Sequence, residues 1–129
     1  MKKQTYIIFG VKIVVRQGGL LPLPGFSAIN LYPFAIYTRG RAGGLSQNTL
    51  RHEAIHTIQA KEMLIVPYYF LYILEYFVKI LLCWNLDKAY KSISFEQEAY
   101  FNSRNLNYGE ERKRFAWWEY VFRMYKQTK

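Results

Sequence analysis

The sequence predicts an α+β fold, with a short two-stranded N-terminal sheet followed by about four helices. Three observations point to it. Residues 5–15 (TYIIFGVKIVV) and 27–38 (SAINLYPFAIYT) are rich in β-branched and aromatic side chains, which suit a pleated, half-buried surface. From about Ser46 the apolar residues change to helical spacing. Strands precede helices without alternating with them, and the chain has no internal repeat or low-complexity segment. Its 129 residues fit a single domain, 1–129.

Taken in order, the chain opens Met1-Lys2-Lys3, like the basic start of a signal peptide. The apolar run from Tyr6 to Val11 is interrupted by Lys12 and lacks a small-residue cleavage site, so a strand is expected there. Residues 17–25 hold three Gly and two Pro and are expected to form a loop. In the second strand, Pro33 cannot donate to a ladder, which places that stretch at an edge or a bulge. Gly40, Gly43 and Gly44 end it. Ser46 or Asn48 can cap the first helix, and Leu50, Ala54, Ile55 and Ile58 form its apolar stripe. Pro67 stops that helix and can open the next, an apolar helix over 67–83. A loop is expected from Asn85 to Lys91. Ser94 with Gln97 has the form of a capping box for a helix near 95–105, and a last helix is expected over about 110–127.

Composition narrows the function classes. Eighteen Lys and Arg against nine Asp and Glu give a net charge of +9, which favours an anionic partner, either a membrane surface or nucleic acid. No nucleic-acid motif accompanies the charge. Cys83 is the only cysteine, which excludes an intramolecular disulfide and thiolate zinc sites such as fingers and ribbons. A single thiol agrees with a reducing compartment, so the expected location is cytoplasmic, with peripheral association at a membrane.

Both histidines of the chain fall in Arg51-His52-Glu53-Ala54-Ile55-His56, an H-E-x-x-H sequence. Residues four apart lie on one helix face, so two imidazoles can reach one zinc ion at about 2.0–2.1 Å. Glu53 is offset around the helix, placed to take a proton from a water that the ion has acidified. A catalytic zinc needs a third protein ligand. The chain has no third histidine, and the metzincin extension is absent because position 59 is Gln and position 62 is Glu. The third ligand must therefore be a carboxylate. Glu98 is one candidate, with Asn102 able to orient it. Glu75 is another, although Lys79 four residues on can simply pair with it.

H-E-x-x-H followed downstream by Phe95-Glu96-Gln97-Glu98-Ala99-Tyr100 resembles the gluzincin zinc peptidases, especially their small and membrane-associated branches. The resemblance covers about 11 residues. It implies a minimal gluzincin-like domain that hydrolyses peptide or protein substrates. Zn2+ would be bound by His52, His56 and Glu96, with Glu53 as general base. It also implies that Ala99 lets two helices approach, and that residues 27–38 serve as an edge strand for an extended substrate. Glu75, in turn, follows His56 at a separation close to that of the thermolysin-like members. One departure is that Tyr100 stands where the family has an Asp orienting a ligand histidine. A phenol can hydrogen-bond an imidazole but lacks the charge of a carboxylate.

Residues 63–84 are long enough to cross a bilayer, but Glu75 and Lys79 oppose a span. Tyr68, Tyr72, Glu75 and Lys79 share one helix face, while Leu71, Leu74, Val78 and Leu82 share another. That pattern suits a core helix first and an interfacial helix second. The C-terminal segment is expected to close over the core through Phe115, Trp118, Phe122 and Tyr125. Its Trp and Tyr set among Lys and Arg would also suit an anionic membrane surface.

Overall fold

The N-terminal run folds back on itself. Strands β1 (Lys2–Ile8) and β2 (Val11–Gln17) pair antiparallel, with Ile8 opposite Val11. The two-residue turn between them, Phe9-Gly10, has φ of 52° and 76°. Positive φ at both positions gives a turn whose twist matches the strands it joins. Phe9 takes this conformation although it costs an L-residue about 1–2 kcal/mol. Its ring packs edge-on against Tyr108, and a Cβ on Gly109 would come within 2.7 Å of the Phe9 Cβ. The computed structural model describes residues 2–17, 28–32, 35–38 and 46–124. The loop expected over 17–25 lies outside these residues apart from Gln17, which ends β2. So do Pro33 and the glycines at 40, 43 and 44.

The second expected strand is also two strands, β3 (Ala28–Leu31) and β4 (Ala35–Thr38), antiparallel with Leu31 opposite Ala35. Strand β4 pairs parallel with β2, so the sheet has four strands in the order β1-β2-β4-β3. The expected two-stranded sheet is thus too small by half, because turns divide both runs. The edge placement holds for β3, whereas β4 is interior. The fold remains a sheet followed by helices, in agreement with the α+β expectation.

Helix α1 (Gln47–Glu62) starts at Ser46, whose side chain accepts from the Thr49 amide at 3.0 Å. Asn48 accepts instead from the Ser103 hydroxyl. The sheet packs on this helix through Ile13, Val15 and Ile36 against Leu50 and Ala54. On the other side Ile55 meets Ala99 of α4 (Ser94–Asn102) and Tyr108 of the short α5 (Tyr108–Glu111). The α1 helix therefore lies between sheet and helices, and both partners hold it in place. After Leu64 and Ile65, both at positive φ, Pro67 sits in the first turn of α2 (Val66–Cys83).

Three helical expectations need correction. The segment from Asn85 to Lys91 is mostly a helix, α3 (Leu86–Ser92), because the Asn85 side chain caps it by accepting from the Lys88 amide. Ser94 does not form a capping box with Gln97. It is the first residue of α4, and Glu75 of α2 caps that helix by accepting from the Ser94 amide (2.8 Å) and hydroxyl (2.6 Å). The last helix is not continuous. After α5, Arg112 turns extended and Phe115 is left-handed at φ 56°, leaving a 3-10 helix at Ala116–Tyr120. Arg112 turns its guanidinium inward to two carboxylates there, and that tie outweighs local helix preference. Trp117 enters the core, while Trp118 and Phe122 stay exposed; Tyr125 lies outside the described residues.

Candidate metal centre

Helices α1 and α4 bring three ligand atoms together. His52 Nε2 and His56 Nε2 are 3.1 Å apart, and Glu96 Oε1 is 3.2 Å from the first and 3.1 Å from the second. Ligands bound to zinc at 2.0–2.1 Å in tetrahedral geometry stand about 3.3–3.4 Å from one another. The triangle therefore nearly matches one face of such a site. This trio is the metal-competent cluster among the described residues. The site lies in the core, with Glu96 and His56 both buried.

The charges fit a shared cation. Burial opposes a charge on His56, but the adjacent Glu96 carboxylate outweighs it and pushes the imidazole up to about 9. Burial likewise disfavours an ionised Glu96, and here His56 and His52 prevail and hold it well below the usual carboxylate range. Glu53 is raised by burial, with His56 and His52 pulling the other way. Two imidazole nitrogens and a carboxylate oxygen at this spacing need a positive charge between them, either a proton or a metal ion.

The surrounding hydrogen bonds settle which nitrogen of His56 faces the cluster. Gln59 donates through Nε2 to the Phe95 carbonyl and to Glu98 Oε1, both at 3.0 Å. Its Oε1 is thereby turned towards His56 Nδ1 at 2.9 Å and can only accept. Nδ1 must carry a proton, so Nε2 is the nitrogen that would give its lone pair to a metal ion once its own proton is displaced. Tyr72 donates to the second oxygen of Glu96 at 2.5 Å.

Of the expected residues, the structure groups His52, His56 and Glu96, with Glu53 one position along α1. The two rival carboxylates have other duties. Glu98 accepts from Arg112 Nε at 2.6 Å and from the Tyr108 hydroxyl at 2.7 Å, and Arg112 also binds Glu62 with two 3.0 Å contacts. Asn102 donates to the Glu98 backbone carbonyl and to the Tyr120 hydroxyl, and so does not orient the Glu98 carboxylate. Glu75 caps α4 and lies 3.7 Å from Lys79, the pairing that its spacing suggested. Tyr100 lies against His52 with ring centroids 4.6 Å apart.

Sequence reasoning missed Gln59, Tyr72 and Arg112. Gln59 had a signal, since it follows His56 by three residues and so lies on the same helix face. Tyr72 belongs to the polar stripe of α2, but nothing in the spacing shows that the stripe faces inward. Arg112 sits in a charged run with no distinguishing pattern. Beside Glu53, the edge strand is tied to the motif helix, because Asn30 of β3 donates to the Glu53 carbonyl at 3.1 Å. A cleft of about 320 Å³ lies between the sheet and α1, lined by Lys12, Asn30, Tyr32, Ile36, Thr57 and Lys61, and none of His52, Glu53, His56 and Glu96 lines it.

Comparison with protein-family models, curated proteins and solved structures returned no match.

Proposed function

We propose that this protein is a zinc-dependent peptide hydrolase of gluzincin type. The observation that carries the reading is the triangle of His52 Nε2, His56 Nε2 and Glu96 Oε1, each atom 3.1–3.2 Å from the others. Zinc held there would supply Lewis acidity, polarising a carbonyl and acidifying water at neutral pH. The chain's own residues do the rest. Glu53 takes the proton of the attacking water and returns it to the amine nitrogen as the carbon–nitrogen bond breaks. Tyr72 holds Glu96 through the oxygen not aimed at the histidines. Asn30 ties β3 to the carbonyl of Glu53, which supports that edge as the place where an extended peptide would pair.

Tyr100 in place of an Asp does not leave His56 without support. The negative charge behind His56 comes from Glu98 of α4, relayed through Gln59. The spacing differs from the family pattern, while the physical requirement, an oriented imidazole backed by an acceptor, is met.

Zinc-loaded protein is expected to cleave unstructured protein or quenched-fluorescence peptides. Glu53→Gln should lower that rate about 10²–10⁴-fold while leaving bound zinc unchanged. Zinc-loaded wild type without hydrolysis of any peptide would overturn the peptidase reading and leave a non-catalytic metal-binding domain.

A further inference from the structure

Helix α2 packs with its polar side inward. Only Tyr68 and Lys79 of its 18 residues are buried. Lys79 donates to the carbonyls of Val121 and Arg123, Glu75 holds α4, and Tyr72 holds Glu96. The opposite face is apolar and open: Val66, Phe70, Ile73, Phe77 and Leu81 follow one another at helical spacing, and each is at least half exposed. Leu82 and Trp84 extend it at one end, and Leu64 extends it at the other. At 1.5 Å per residue the stripe from Val66 to Leu81 is about 22 Å long. A patch of that size on a folded domain marks contact with another apolar phase.

We infer that the outer face of α2 embeds in the surface of an anionic lipid bilayer, with the helix lying flat in the interface. Two features select lipid. The inner side of α2 is bonded to protein along its length, so the helix cannot be surrounded by lipid as a span would be, while one apolar face remains for shallow insertion. The cations are placed for headgroups. Lys61 lies just before α2 and Lys88 in the first turn after Trp84, both exposed. The Trp118 and Phe122 rings are also exposed and meet edge to edge, in the segment whose Val121 carbonyl Lys79 holds. Acidic side chains on these elements include Asp87 and Glu119, the former paired with Lys91. The whole chain carries +9. Anionic headgroups complement such a rim, and indole rings favour headgroup depth. A second copy of the chain would instead bring like charges together. This docking does not depend on metal. It would set the His52, His56 and Glu96 cluster roughly one helix diameter, about 10–12 Å, from lipid.

The test is sedimentation of the full chain with vesicles of phosphatidylcholine alone or with added phosphatidylserine, at low and high salt. Wild type is expected to pellet with the anionic vesicles, less so at high salt, with tryptophan emission quenched by brominated acyl chains. Phe70→Glu with Phe77→Glu should weaken binding about tenfold or more while circular dichroism is unchanged, since both side chains are already in solvent. Lys61→Glu with Lys88→Glu should remove the preference for anionic lipid. Wild type that stays in the supernatant would overturn the inference. So would binding that survives the double Phe substitution, or a dimer in solution that the same substitution dissociates without any vesicle binding.

Discussion

The wall between α1 and α4 and the outer face of α2 sort polarity in opposite ways to a simple core and surface. Between α1 and α4 the buried side chains include His56, Gln59, Glu96 and Glu98. On the outside of α2, Phe70, Phe77, Leu82 and Trp84 stand in solvent. The difference shows what each region is organised around. A carboxylate tolerates burial only when its lone pairs are met, and Glu96 and Glu98 are met by two histidines, two tyrosines, a glutamine and an arginine. Among the described residues no comparable device covers the apolar side chains of α2, which fits a face matched to a phase other than water.

The sharpest way to break this comparison is to remove one partner from the buried network. Arg112→Met leaves Glu62 and Glu98 facing each other without a cation. It should cost about 3–5 kcal/mol in urea denaturation, the usual penalty for an uncompensated buried charge. An unchanged midpoint would show that the network is incidental. Next in size is Gln59→Leu, which removes the acceptor from His56 Nδ1. Zinc affinity, measured by chelator competition, is expected to fall about 10–100-fold with the fold retained. The smallest effect belongs to the other region. Phe77→Ser should change stability by no more than about 0.5 kcal/mol, as for a side chain already in solvent, whereas Ile55→Ala on the inner side should cost about 2–5 kcal/mol. Equal losses at the two positions would mean that the outer face is covered in the folded protein.

Much of this was legible in the chain. The strand runs, the Ser46 cap, Pro67 at the start of α2 and the helical setting of His52 and His56 follow from local chemistry that the structure repeats. What local reading missed was tertiary. The Phe9-Gly10 turn lacks the Asn-Gly or Asp-Gly of a typical two-residue hairpin, so one strand was expected where two exist. Glu98 and Glu75 could be told from Glu96 only by their partners, Arg112 and Ser94, which are distant in sequence. The stripe of Tyr68, Tyr72, Glu75 and Lys79 was visible, but a hydrophobic pattern shows that a helix has two faces without showing which one faces the protein. The general preference for apolar cores pointed the wrong way, because the inner side of α2 serves Glu96, the start of α4 and the carbonyls of Val121 and Arg123.

The central claim, that His52, His56 and Glu96 close on one cation, is tested most directly by zinc content per chain after loading and desalting. Wild type and Glu75→Gln should each retain one equivalent of zinc, while His56→Ala and Glu96→Gln should each retain almost none. Wild type without zinc, or Glu96→Gln that keeps a full equivalent, would contradict the account.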